Sequence, residues 1–189
     1  MTEQAVTLGC YSPRLGHVSL SAMGDDDEEE RLDRWLMKVS PVTLYRARKL
    51  WDEAVGWFRD FGYTIYAFDC SAWRTEEDMH LALASVMDFP DYYGHNLNAT
   101  NDCLAYLPLS EATGGLVALD HLDRFVAVQP EVAKALIDIL ANRAWLHLVY
   151  GRRLITLAQS DDPTLDFTAI GSHFAAWNPG ERLFKDRGL

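Results

Sequence analysis

Tyr63-Thr64-Ile65-Tyr66-Ala67-Phe68 follows a glycine, Gly62, and is rich in β-branched and aromatic residues. Such side chains pack well on a pleated surface, so the run reads as a strand. Two further runs behave alike. Leu116-Val117-Ala118-Leu119 follows Gly114-Gly115, and Leu154-Ile155-Thr156-Leu157-Ala158 follows Gly151. Between them the spacing is helical. Thr75 with Asp78 makes a capping box, and Met79, Ala82, Leu83, Val86 and Met87 form a buried stripe that Pro90 ends. Asn96 opens a second helix with Leu97, Thr100, Leu104 and Leu107 inward. Pro130 opens a third, with Val132, Ala135, Leu136, Ile139 and Leu140 on one face. Strands joined through helices run parallel in one sheet. The expected fold is therefore α/β: a three-stranded parallel sheet over residues 62–160 with helices packed against it.

Outward from this body, residues 1–61 read as an N-terminal extension. Ala5-Val6-Thr7-Leu8 and His17-Val18-Ser19-Leu20 form a small β element, with turn residues Ser12-Pro13 and Gly16 between them. The acidic run at 25–30 resists burial and is expected as an exposed loop or the acidic start of a helix. Ser40-Pro41 looks like a helix start. The stripe Ala47, Leu50, Trp51, Ala54, Val55, Phe58 and Phe61 then suggests one helix over 40–61, stopped by Gly62. Residues 161–189 contain Phe167, Ile170, Phe174, Trp177 and Phe184. That is too apolar for a free tail, so this segment is expected to pack back on the body.

Formal net charge is −11, from 28 acidic and 17 basic residues. This argues against direct nucleic-acid binding, which needs basic surface against phosphate, and fits a basic partner. No stretch approaches the roughly 20 apolar residues of a membrane span. Met1-Thr2-Glu3-Gln4 does not begin a signal peptide, so the expected compartment is the cytoplasm. Cys10, Cys70 and Cys103 are far apart and odd in number, which reads as reduced thiols, with Cys103 expected in the core. The histidines at 17, 80, 95, 121, 147 and 173 lack metal-ligand spacing. No Gly-x-Ser-x-Gly, phosphate loop or His-Glu-x-x-His motif is present, so neither an enzyme nor a cofactor is expected. The rival reading is a His95–Cys103 nucleophilic pair, but the two lie eight residues apart, and Cys103 falls toward the buried side with Leu104 and Leu107.

One segment is more specific than any of these patterns: Phe89-Pro90-Asp91-Tyr92-Tyr93-Gly94-His95-Asn96-Leu97-Asn98-Ala99-Thr100-Asn101-Asp102-Cys103-Leu104. It resembles the signature of the barstar family, a Pro-acid-Tyr-Tyr-Gly-x-Asn-Leu-Asp-Ala-x-x-Asp-Cys-Leu run between two helices. The resemblance covers about half of the chain. It implies a small α/β protein that blocks a barnase-like ribonuclease by placing a helix and the preceding loop in the enzyme's active site. Asp102 matches the central aspartate, whose carboxylate stands where a substrate phosphate would sit. Tyr92 matches the tyrosine that packs across the catalytic base. Gly94 and Asn96 match the turn glycine and the helix-start asparagine. Three positions depart from the pattern. His95 replaces a glutamate, Asn98 an aspartate and Asn101 a tryptophan. Asn142, on the third helix, is the nearest match to a further glutamate.

Each residue also has a plainer reading. Tyr92 and Tyr93 pack the loop, Gly94 supplies a positive φ, Asn96 is an N-cap and Asp102 is a solvated helix charge. The resemblance favours an inhibitor, monomeric when free, of a basic ribonuclease or related toxin. The alternative is a barstar-like binding module or immunity protein with a non-nuclease partner.

Overall fold

All six residues of Leu154–Gln159 are buried, as are five of the six in Gly115–Asp120. A strand buried on every residue must be covered on both faces, which is the usual state of a parallel sheet. These two strands lie inside a five-stranded, wholly parallel sheet. The structure is a computed structural model that describes residues 31–167 and 175–183. In chain order it contains α1 Leu32–Val39, β1 Val42–Tyr45, α2 Arg48–Asp60, β2 Thr64–Asp69, α3 Glu76–Met87, α4 Leu97–Ala105, β3 Gly115–Asp120, α5 Leu122–Val128, α6 Pro130–Val149, β4 Leu154–Gln159 and β5 Ala176–Trp177. The sheet order is β2-β3-β4-β1-β5. The expected β element at 5–8 and 17–20, the acidic run at 25–30, and Ile170, Phe174 and Phe184 lie outside the described residues.

The three expected strands are present, adjacent and parallel: Ile65 pairs with Leu116, and Leu116 with Ile155. The sheet nevertheless has five strands, not three. The error lies at Ser40-Pro41, which does not open a helix. Ser40 Oγ instead accepts from the Val42 amide at 3.1 Å, in a turn that feeds β1. Val42, Thr43, Leu44 and Tyr45 are all buried. Four consecutive buried residues suit a strand covered on both faces, whereas a helix would turn some of them to solvent. β1 pairs with β4 on one side and with the two-residue β5 on the other.

α2 starts only at Arg48 and has no local side-chain cap. A remote carboxylate serves its first turn: Glu181, itself buried, accepts from the Arg46 and Ala47 amides at 2.9 and 3.0 Å. Gly62 then ends the helix in the left-handed region, as expected.

Side-chain alternation divides the core into two layers. Leu116, Ala118, Ile155 and Leu157 face α1 and α2. Val117, Leu119, Leu154 and Ala158 face α3, α5 and α6, with Phe167 and Trp177 packed on that side. α5 matches no sequence expectation, because its seven residues are too few to establish a helical period, although Leu122 and Phe125 are fully buried. The α6 stripe is also rotated: Ala133, Leu136, Ile137, Leu140, Ala141 and Ala144 are buried, while Val132 and Ile139 are only partly so. Among the described residues no helix is long and apolar enough to cross a membrane.

α1 is tied to the sheet by a buried carboxylate. Asp33 is fully buried, accepts from Arg31 at 2.8 Å and from the Tyr63 hydroxyl at 2.6 Å, and lies 3.7 Å from Arg153. Burial pushes the Asp33 carboxyl up, but the hydrogen bonds from Arg31 and Tyr63 outweigh it and hold the group below its ordinary value. A depressed folded-state pKa contributes stability above the unfolded value, about 3.9, and that stability is lost as pH falls through the folded value. Asp33→Asn should therefore cost about 2 kcal/mol at neutral pH, a buried-pair penalty reduced because Arg31 is partly solvated. In urea unfolding measured across pH, the gap between variant and wild type should close as the solution is acidified.

Candidate functional site

The Phe89–Leu104 signature begins just beyond α3 and occupies a short loop and α4 up to its last residue but one. Thr75 and Asp78 form the expected capping box at the start of α3. The buried stripe of α3 differs from the expected one: Met79, His80, Leu83 and Met87 are buried, whereas Val86 is 42% exposed. The imidazole of His80 therefore occupies a core position next to the loop.

A chain of polar contacts runs from this histidine. The Tyr93 hydroxyl lies 2.5 Å from His80 Nδ1 and 2.7 Å from Thr100 Oγ1. Thr100 Oγ1 is 3.1 Å from the Asn96 carbonyl oxygen, to which it can donate. On its other side, His80 Nε2 lies 3.3 Å from Glu76 Oε1. An Nε2–H donated to Glu76 leaves Nδ1 as acceptor for the Tyr93 hydroxyl. The Tyr93 ring packs edge-on against Phe89, at 4.9 Å between centroids, and lies equally close to His95. Burial raises the Tyr93 pKa, keeping the phenol protonated and able to donate.

Tyr93 thus packs inward, and its neighbour Tyr92 projects outward at 86% exposure. Asn96 caps α4, its Oδ1 accepting from the Ala99 amide at 2.9 Å and its Nδ2 donating to the Gly94 carbonyl at 3.0 Å. The positive φ expected at Gly94 is absent; it falls on His95, at 47°. A Cβ at 94 would stand 3.0 Å from Asn96 Nδ2, so a larger residue there would press on the side chain that caps α4. The far end of α4 is held by α6, where His147 Nε2 meets the Leu104 carbonyl at 2.8 Å. Burial lowers the His147 pKa, and Arg152 and Arg143 lower it further, so the ring stays neutral at pH 7.

The structure brings Tyr92, Gly94, His95, Asn96, Asn98 and Asp102 together as exposed residues of the loop and α4. Asn101 is half-buried and turned toward α6, accepting from Arg143 Nε at 2.7 Å. Asn142 lies on α6, and its Nδ2 donates to the Asp138 carbonyl of its own helix at 2.9 Å. Cys103 is not a core residue; it is half-buried, while Cys70 is fully buried. Burial and the adjacent Asp102 raise the Cys103 pKa, which keeps it a thiol. Tyr92 and Asp102 share a groove with Asp88 and Tyr106, two residues that the motif did not point to. The only sequence signal for Tyr106 is its place four residues after Asp102, on the same side of a helix.

A protein-family model described as barstar, the barnase inhibitor, matches residues 63–157. This chain belongs to the barstar family. The matched region of this barstar-family chain carries β2, α3, the loop, α4, β3, α5, α6 and most of β4, whereas α1, β1, α2 and β5 lie outside it. No curated protein matches. Among solved structures, a Drosophila ORC chain bound to AT-rich DNA and Cdc6 is similar at 17% identity and TM-score 0.43, over 68% of this chain and 43% of that one. A Walker-type ATPase of Pyrococcus abyssi is similar at 15% identity and TM-score 0.46, over 80% of this chain and 52% of that one. The present chain thus spans about half or less of either, and such low structural likeness says nothing of what it does.

The Tyr93 network predicts a contrast between adjacent tyrosines. Tyr93→Phe removes the hydroxyl that bonds His80 Nδ1, while Thr100 Oγ1 keeps the Asn96 carbonyl, and should cost about 1–3 kcal/mol in urea unfolding. Amide exchange in the 91–96 loop should speed up with it. Tyr92→Phe should change neither quantity.

Proposed function

We propose that this barstar-family protein binds a basic ribonuclease and blocks its active site with the loop and α4, Asp102 standing where a substrate phosphate would bind. The observation that carries this reading is the placement of Asp102: exposed, on a helix held at both ends, beside the outward ring of Tyr92. A ribonuclease site concentrates cations to hold phosphate, and a carboxylate accepts the same charge-assisted hydrogen bonds. A carboxylate on a rigid helix loses little conformational freedom on binding. The net charge of −11 supports attraction to a basic enzyme. Gly94, His95, Asn96 and Asn98 shape the approach in this reading, and Asn142 lies at its α6 margin. Residues 62–160 act as the inhibitory module, with 1–61 and 161–189 as additions to it.

The test is inhibition of RNA cleavage by a barnase-type ribonuclease. Wild type should inhibit. Asp102→Ala should weaken binding by about 3 kcal/mol or more, the general cost of leaving desolvated charges unpaired. The melting temperature should barely change, because the replaced side chain is exposed and alanine favours helix. Raised salt should slow association more than it speeds dissociation. Equal affinity of the two proteins would overturn the role of Asp102. Failure of wild type to bind any basic ribonuclease of this type would favour a non-nuclease partner.

A further inference from the structure

The groove beside Asp102 has a composition that the family signature does not describe. It runs between the end of α3 and the end of α4. Two tyrosines flank it, Tyr92 and Tyr106, and they are 86% and 87% exposed. Two carboxylates line it. Asp102 comes from α4, and Asp88 from the residue after α3, where a left-handed φ of 52° turns the chain. No Lys, Arg or His lines the groove. Arg143 is engaged with Asn101, which does not line it. The Asp88 amide bonds the Ala84 carbonyl, but among the described residues no hydrogen bond or ion pair engages the carboxylate of Asp88 or of Asp102.

A simpler form of this combination, one aromatic ring with carboxylate, occurs twice within the protein, each time completed by an arginine. The Arg31 guanidinium lies 4.2 Å from the centre of the Phe61 ring and pairs with Asp33. The Arg48 guanidinium lies 5.0 Å from the centre of the Trp51 ring and pairs with Asp52 and Asp120. A guanidinium satisfies both halves of such a site: its face stacks on an aromatic ring while its edge donates to carboxylate. An ammonium is compact and strongly hydrated and does only the second well.

We propose that this groove takes an arginine side chain of the partner protein, stacked between Tyr92 and Tyr106 and paired with Asp88 and Asp102. Asp88 and Tyr106 become specificity-determining residues. They supply a charge and an aromatic surface on the groove side of Asp102, where the asparagines at 98 and 101 supply neither. The inference deepens the reading of Asp102 given above and rests on it for the identity of the partner, but the groove can be tested without a nuclease.

The full-length protein would be titrated with the capped peptide Gly-Arg-Gly, followed by NMR of the tyrosine rings and aspartate carboxyl carbons. Gly-Lys-Gly and Gly-citrulline-Gly serve as controls, citrulline keeping the shape of arginine without its charge. The arginine peptide should give saturable shifts at Tyr92, Tyr106, Asp88 and Asp102, with a dissociation constant of order millimolar. The lysine peptide should bind about threefold or more weaker, and the citrulline peptide should not shift these signals. Tyr106→Ala and Asp88→Asn should each weaken the arginine peptide about threefold or more, the scale of one exposed cation–π or charge contact. Both side chains are exposed, and asparagine tolerates the left-handed conformation at 88, so folding should be kept. Equal shifts with citrulline, shifts mapping elsewhere, or no shifts at all would overturn the proposal. Arginine binding without ribonuclease inhibition would overturn only the nuclease reading; inhibition without arginine binding would overturn only the groove.

Discussion

A buried phenol hydroxyl must find partners or cost the fold the price of its desolvation, and the geometry of the candidate site follows from how Tyr93 meets that demand. Its hydroxyl lies between His80 of α3 and Thr100 of α4, so one atom links two helices across the loop that joins them. With Tyr93 turned in, Tyr92 stands at the tip of the turn closed by the Tyr93 amide donating to the Pro90 carbonyl at 2.8 Å, and faces solvent. With Thr100 held against the network, the face of α4 that carries Asp102 is directed to solvent. Asn96 adds a local clamp by bonding both the loop and the first turn of α4. The exposed face is therefore displayed by the buried network of His80, Tyr93 and Thr100 beneath it.

The sheet imposes a second constraint. β4 is buried on both faces and needs neighbours on both edges, and β3 supplies only one. The other is β1, from a segment outside the region matched by the family model. β1 is buried in turn and is followed by α2, whose first turn depends on Glu181. The surrounding segments are thus joined to the family region by main-chain pairing within one sheet. A charged group tightens that join: Asp33 connects α1 to Tyr63 and Arg153, residues that precede β2 and β4.

Much of this was legible in the sequence wherever the cause is local. The runs beginning at Tyr63, Leu116 and Leu154 read as strands because branched and aromatic side chains in succession favour extended backbone. Thr75 with Asp78, Asn96 and Gly62 marked helix ends because caps act within three or four residues. Strands separated by helices implied parallel pairing, and the signature around Tyr92 and Asp102 located the candidate face.

What only the tertiary structure decided joins residues far apart in the chain. The local pattern assigns Val42–Tyr45 to a helix begun at Ser40-Pro41, and the open edge of β4, more than a hundred residues later, makes it a strand instead. The cap on α2 comes from Glu181, so nothing near Arg48 announced it. His80 was invisible as a core residue because hydrophobic periodicity does not count a histidine, and its burial depends on the hydroxyl of Tyr93. Asp88 and Tyr106 belong to no local pattern, and they share a groove only because the ends of α3 and α4 come together. A sequence specifies local conformation through neighbours a few residues apart, whereas a surface is assembled by packing between distant segments.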